Sequence, residues 1–148
     1  MEKGVALSGV TGTRYMYHDP CHTPMKQYAP LAVVNQLMGT PVPLSDRCCG
    51  ESGTLAMTRP DVSTQVRFRK EEEMRNGADS LRADGFTGAV TVLTSCPSCL
   101  QGLSRFDDDA GTKADYIVVE IAKRLLGVNW MAEYVAKANA GGIERVLV

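Results

Sequence analysis

The hydrophobic and polar positions of this chain alternate between two periods, which predict short strands between longer helices. Alternating or β-branched apolar residues predict strands over residues 14–18, 89–93 and 114–118, with at best a brief strand over 40–44. Apolar residues at helical spacing predict helices over residues 30–38, 61–82, 97–106, 118–127 and 130–138. Glycine or proline marks the ends of most of these segments.

The order of the predicted elements indicates the fold class. Strands that alternate with helices favour an α/β fold with a small, mostly parallel sheet flanked by helices. The 148 residues are enough for one domain, which we place at residues 14–148. Residues 1–13, with three glycines, are predicted to be a linker or tail. The last residues, 143–148, are too apolar for an ordinary solvated tail and are expected to pair as an edge strand or to dock on another part of a larger protein.

The longest predicted helix, over residues 61–82, carries two further expectations. Asp61 or Ser63 is expected to cap its N-terminus. The pair Asn76-Gly77 is expected to break or kink it, since glycine is unfavourable inside a helix.

The same helix carries a run of mixed charge over residues 67–73. Lys70 and Glu73, or Glu71 and Arg75, have the spacing of helical ion pairs. Because such pairs are usually on the surface, the run is predicted to be a solvated helix face.

All five cysteines of the chain follow the pattern C-x26-CC-x46-C-x2-C and lie beside turn-forming residues. They are Cys21, Cys48, Cys49, Cys96 and Cys99. Cys21 follows the first predicted strand, and Cys96 lies between a strand and a helix. Ligands in open α/β sheets bind at the carboxyl ends of the strands, so the cysteine loops are expected to meet there. A helix N-terminus beside Cys96 and Cys99 also favours thiolate over thiol.

Several chemistries compete for these cysteines. Secreted disulfides need an oxidising compartment and usually an even count, whereas five is odd and the first residues do not resemble a signal peptide. A redox dithiol at Cys96 and Cys99 would leave the other three cysteines without a role. Single buried cysteines often behave as small apolar residues, but five beside turns favour a metal or redox site.

A structural zinc ion is a further alternative, since it takes four ligands in a tetrahedron. One of the five cysteines would then not bind the ion, or His18 or His22 would enter the ligand set. His18 and His22 flank Cys21 and are candidates for an additional ligand or for hydrogen-bond donors around the ligands.

Three motifs together resemble the CCG cysteine-rich domain family. They are Tyr17-His18-Asp19-Pro20-Cys21-His22, Cys48-Cys49-Gly50 and Thr94-Ser95-Cys96-Pro97-Ser98-Cys99-Leu100. The family includes a cysteine-rich component of heterodisulfide reductase and the iron–sulfur components of glycolate oxidase and related dehydrogenases. The motifs occur in the family's order, and the resemblance covers most of the chain. The spacing between the first two motifs is shorter than usual for the family, the spacing between the last two is longer, and one module is present where the family commonly has two.

The resemblance implies a function, a cofactor and partners. It implies an iron–sulfur electron-transfer domain, in which the five cysteines bind a cluster of the [4Fe–4S] type and His18 and His22 lie around them. The domain would relay electrons from a flavin (FAD) dehydrogenase domain or subunit that oxidises a 2-hydroxy acid, beside a further iron–sulfur domain. It would have no catalytic residues of its own. A structural zinc module that serves assembly is the alternative function.

Charge and hydropathy limit the classes of partner and the cellular compartment that the sequence favours. The net charge of −1 gives no electrostatic basis for binding nucleic acid or an anionic membrane. No apolar run is long enough for a transmembrane segment. The sequence therefore predicts a cytoplasmic protein, which would reach the inner face of a membrane only through partners.

Overall fold

The computed structural model describes residues 12–23, 25, 27–51 and 54–141. The tail predicted over 143–148 and nearly all of the linker predicted over 1–13 lie outside these residues. None of the described helices is both long and apolar enough to cross a membrane.

Three parallel strands form the sheet, in the order β1-β2-β3, which confirms the predicted α/β fold class. They are β1 (Thr13–Tyr17), β2 (Ala89–Thr94) and β3 (Lys113–Tyr116). The register places Tyr17 beside Leu93 and Thr94 beside Tyr116. The carboxyl ends of all three strands therefore lie along one edge of the sheet.

The brief strand predicted over 40–44 is reduced to one parallel bridge between Leu44 and Tyr17. Pro41 and Pro43 have no N–H to donate, so a full ladder cannot form here. Two backbone hydrogen bonds still fix the segment against β1, from Tyr17 N to Pro43 O at 2.9 Å and from Ser45 N to Tyr17 O at 2.7 Å. This pairing places Ser45 beside the carboxyl end of β1.

Seven helices occur in the described part of the chain. They are α1 (Pro30–Met38), α2 (Leu55–Thr58), α3 (Pro60–Arg82), α4 (Pro97–Ser104), α5 (Asp107–Ala110), α6 (Ile117–Leu126) and α7 (Trp130–Asn139). Proline opens α1, α3 and α4, where its missing N–H costs nothing because the first helical amides have no partner within the helix.

The start of α3 corrects one expectation from the sequence. The residue before the helix is Arg59, without a side-chain cap, and Pro60 begins it. Asp61 and Ser63 lie inside the first turn: Asp61 pairs with Arg59, and the Ser63 hydroxyl donates to Gly50 O at 3.1 Å. Both side chains therefore bond elsewhere instead of capping the helix.

The break predicted at Asn76-Gly77 is also wrong, because α3 runs through both residues. A Cβ atom at Gly77 would lie 2.4 Å from Cε of Met16 in β1. Gly77 thus packs against the end of the Met16 side chain, and the buried neighbours Met74 and Ala78 hold the helix on the sheet through a residue of poor helix propensity.

The core lies on both faces of the sheet. On one face, Met16 and Val92 pack with residues of α3 and α4 such as Met74 and Leu103. On the other face, strand residues pack with α1 and α6 in a second cluster of Tyr15, Tyr17, Val34, Met38, Val42, Leu93 and Ile117. Cys49 and Cys99 belong to the first cluster, so the cysteine loops adjoin the hydrophobic core.

Candidate metal centre

The candidate centre lies at the carboxyl edge of the sheet, where three loops meet. Cys21 follows β1, and Cys96 follows β2 as the residue immediately before α4. Cys99 lies in the first turn of α4, and Cys49 comes from the segment that follows the Leu44 bridge. Because β1 and β2 are parallel, their following loops emerge side by side, as the sequence predicts.

Four of the five cysteines line one cavity of about 360 Å³ at this edge. Its lining residues are Pro20, Cys21, His22, Cys49, Cys96, Ser98 and Cys99. Cys49 and Cys99 are buried at the back, whereas Cys21 and His22 are exposed at the rim. The cavity therefore presents sulfur atoms from three segments and is open to solvent on one side.

Cys48 lies beside this cavity and not in its wall. It lines a separate depression with Arg47, Val66 and Arg69, and Gly50 N lies 3.4 Å from its sulfur. Adjacent residues cannot easily point the same way, so Cys48 and Cys49 diverge. Cys48 still approaches Cys21: desolvation raises the pKa of the Cys21 thiol, and a contact with Cys48 raises it further.

Cys49 and Cys99 form a close thiol pair. Their sulfurs are 3.4 Å apart, which is a hydrogen-bonding distance and not a disulfide bond. A hydrogen bond from the Cys99 thiol lowers the pKa of Cys49 to about 4, against the opposing effect of burial. The same contact and burial raise the pKa of Cys99. The contact thus favours the thiolate form of Cys49, the form that binds metal.

His18 lies against this pair from the end of β1. The side chain is 1% exposed, and Nδ1 is 3.0 Å from the carbonyl oxygen of Ser45. Nε2 is buried without a hydrogen-bond partner. One ligand atom each from His18, Cys49 and Cys99 lie within 4.8 Å of one another, a spacing that a metal ion can bridge.

Lys70 lies behind His18 and corrects the prediction of a solvated face on α3. Its side chain is 0% exposed, whereas the sequence placed it in a charged surface run. Its Nζ atom lies 3.1 Å from Ser45 O, 2.5 Å from Ser45 Oγ, 2.7 Å from Glu73 Oε2 and 3.2 Å from His18 Nδ1. Burial lowers the pKa of Lys70, and the carboxylate of Glu73 opposes this effect.

Sequence reasoning missed Lys70 although one signal for it was present. Position 70 lies four residues before Met74 and eight before Ala78, both of which are buried in the core. It is therefore on the apolar face of α3. A lysine on that face requires a buried polar partner, and the partners come from distant segments.

Glu51 holds the loop that carries Cys49. Its carboxylate pairs with Arg67 of α3 at 3.1 Å and with Arg105 at the end of α4, and its side chain is only 10% exposed. Gly102 of α4 allows this approach, because a Cβ there would lie 2.5 Å from Glu51 Cγ and 3.3 Å from Cys49 O. The loop is thus fixed between two helices.

Comparison with known proteins adds two relatives. The chain is 38% identical over 56 residues to the glycolate oxidase iron–sulfur subunit of Escherichia coli K12, which covers 38% of this chain and 14% of that protein. It is 29% identical over 119 residues to an uncharacterized iron–sulfur protein of Methanococcus maripaludis, which covers 74% of this chain and 22% of that protein. The chain thus spans less than a quarter of the length of either relative. No solved structure matches it.

Two family models match adjoining parts of the sequence. Residues 104–148 match a domain of unknown function (DUF3400), which contains α6 and α7. Residues 15–104, more than half of the chain, match the cysteine-rich domain (CCG) and include every cysteine described above. The chain belongs to the CCG cysteine-rich domain family.

Proposed function

We propose that this chain is an iron–sulfur electron-transfer domain whose five cysteines bind a cluster of the [4Fe–4S] type. The ligands would be Cys21, Cys48, Cys49, Cys96 and Cys99. The observation that carries the proposal is the cavity at the carboxyl edge of the sheet, which four of these cysteines line from three separate segments. Cys48 would join from beside the cavity, next to Cys21.

The donor set and the space both suit a multi-iron group. Iron–sulfur clusters are held by cysteine thiolates, and Cys49 already favours the thiolate form. A cavity of about 360 Å³ has room for a group of several atoms. A single zinc ion touches its sulfur ligands at about 2.3 Å and needs no such space.

The chain's own residues would bind the cluster and adjust its reduction potential. The bound cluster would supply one-electron transfer. The thiolates hold it, and the buried ammonium of Lys70 offsets part of their negative charge. The exposed rim at Cys21 and His22 leaves one side open to an electron donor. None of these residues needs to act on a substrate, so the chain would have no catalytic residues.

The partner proposed for this domain is a flavin (FAD) dehydrogenase domain or subunit that oxidises a 2-hydroxy acid, with a further iron–sulfur domain beside it. The similarity to an iron–sulfur subunit of glycolate oxidase supports this proposal. The proposed location is the cytoplasm, where thiols stay reduced, with the inner face of the membrane reached through partners.

Structural zinc is the second candidate, and one observation favours it. The sulfurs of Cys49 and Cys99 are 3.4 Å apart and lie close to a ring nitrogen of His18. Two sulfurs bound to one tetrahedral zinc ion are about 3.8 Å apart, given zinc–sulfur bonds of about 2.3 Å. In this alternative the domain serves assembly and has no redox role.

Anaerobic reconstitution separates the two candidates. The purified chain is incubated with iron and sulfide in one sample and with zinc in another, and bound metal and acid-labile sulfide are measured after desalting. We expect a brown protein with iron and sulfide in equal amounts, whose visible absorbance decreases on chemical reduction. A colourless chain that retains stoichiometric zinc and no iron would contradict the iron–sulfur proposal.

A further inference from the structure

We propose that His18 is a metal ligand of this centre through Nε2, in addition to the cysteines. This inference rests on the proposed metal-binding function and adds a nitrogen donor to it. Two features carry it: the hydrogen bond that fixes the imidazole tautomer, and the buried Nε2 atom without a partner, in a ring that lies beside two sulfurs.

The tautomer follows from the neighbours of Nδ1. The carbonyl oxygen of Ser45, 3.0 Å away, can only accept a hydrogen bond. Nδ1 must therefore carry the proton and donate it to Ser45 O. In a neutral imidazole the lone pair is then on Nε2. A backbone carbonyl that accepts from the second ring nitrogen is the usual companion of a metal-binding histidine.

The donors of Lys70 support this assignment. The ammonium has three N–H groups, and three oxygen atoms surround it: Ser45 O at 3.1 Å, Ser45 Oγ at 2.5 Å and Glu73 Oε2 at 2.7 Å. All three donors are used without His18. The contact of 3.2 Å between Lys70 Nζ and His18 Nδ1 is therefore an approach of two donors to the shared Ser45 carbonyl, and not a hydrogen bond between them.

The position of Nε2 completes the argument. It is buried and has no hydrogen-bond partner, and the imidazole provides a ligand atom within 4.8 Å of the sulfurs of Cys49 and Cys99. A buried lone pair without a partner is unfavourable, and a metal ion held by the two sulfurs would satisfy it.

The composition of the chain makes a direct test possible, because it contains only two histidines, His18 and His22. The protein is produced with ¹⁵N-labelled histidine and reconstituted anaerobically with iron and sulfide. Pulsed electron paramagnetic resonance of the paramagnetic redox state then reports the ¹⁵N hyperfine coupling. The matched variant His22→Ala removes an exposed histidine from the cavity rim and leaves His18 as the single labelled residue.

We expect a strong ¹⁵N coupling, typical of a nitrogen bound directly to iron, in the wild type and unchanged in His22→Ala. His18→Gln, measured by the same method, should lose it. A brown protein whose ¹⁵N coupling has only the weak magnitude of a hydrogen-bonded nitrogen would overturn the ligand role and leave the iron–sulfur function intact. Loss of the coupling in His22→Ala would do the same, whereas a wild type that binds no iron would overturn both proposals.

Discussion

At the scale of single residues, the two adjacent cysteines have different surroundings. Cys49 is 3% exposed and lines the cavity, and a contact with Cys99 lowers its pKa, whereas Cys48 lies outside the cavity wall. A centre with several irons can use both, but a single tetrahedral zinc ion cannot easily take both.

Serine substitutions test this difference. We expect Cys49→Ser to lose most of its reconstituted iron and Cys48→Ser to retain less than the wild type, measured as iron and sulfide per chain. Ser98→Ala changes a residue in the cavity wall without removing a thiol, and it should bind as the wild type does. Full iron loading in both cysteine variants would contradict ligation by all five cysteines.

Glu73 is the counter-ion of the buried Lys70, and its ionisation links stability to pH. Burial pushes the pKa of Glu73 upward, but hydrogen bonds from Lys70 and Ser45 outweigh it and hold the pKa below its ordinary value of 4.5. A carboxyl group with a lowered pKa in the folded state stabilises the fold above its unfolded pKa. That stability is lost as the pH falls through the folded value.

We therefore expect Glu73→Gln to unfold more easily than the wild type at neutral pH, by about 3 kcal/mol, because Lys70 is left buried without a counter-ion. The difference should narrow as the pH falls below 4.5, and denaturant titrations at several pH values measure it. The control is Glu72→Gln, whose carboxylate is 64% exposed in its pair with Arg47 and which should change stability by less than about 1 kcal/mol. A constant difference at every pH would contradict the role given to Glu73.

At the scale of elements, α4 determines where the Cys49 loop lies. Its N-terminus carries Cys96 and Cys99, and Gly102 in its second turn allows the loop that contains Cys49 and Glu51 to approach the helix. The loop and the helix therefore bring Cys49 and Cys99 together as a unit.

We expect Gly102→Ala to move the loop that contains Cys49 away from α4. The added Cβ would lie 2.5 Å from Glu51 Cγ and 3.3 Å from Cys49 O, so the loop must move. We expect a loss of stability of about 1–3 kcal/mol and a lower iron content, measured by thermal unfolding and by iron analysis. Gln101→Ala, at an exposed position of the same helix, is the matched control. Normal iron loading in Gly102→Ala would show that the close approach is not needed for metal binding.

At the scale of the whole molecule, the candidate centre is proposed as an electron relay without catalytic residues of its own. The proposed centre therefore depends on an external electron donor. Its rim is exposed at Cys21 and His22, where such a donor can approach.

We expect the reconstituted domain alone to leave glycolate and lactate unchanged. Its visible absorbance should stay constant with either acid and should decrease only after a reduced donor, such as dithionite or a reduced flavoprotein, is added. The metal-free chain provides the baseline. Bleaching by glycolate or lactate without a flavoprotein would mean that the chain has its own catalytic site and would contradict the relay.

The sequence alone determined the α/β architecture and indicated that the cysteine loops meet at one edge of the sheet. Helix α1 has the predicted bounds, the three parallel strands lie where the pattern indicates, and turn residues beside the cysteines predicted that their loops meet. These features are local: side-chain periodicity, β-branched content and proline or glycine at element ends act within a few residues.

The tertiary structure alone decided the environment of the site, because contacts between distant segments create it. The sequence places Lys70 in a charged run, but packing of α3 on the sheet buries it beside Ser45 and His18. The break expected at Asn76-Gly77 is absent because α3 is held on the sheet by buried residues on both sides, Met74 and Ala78. The divergence of Cys48 from Cys49 and the lone Nε2 of His18 also follow from the packing of loops from separate strands, which the periodicity of a single segment cannot encode.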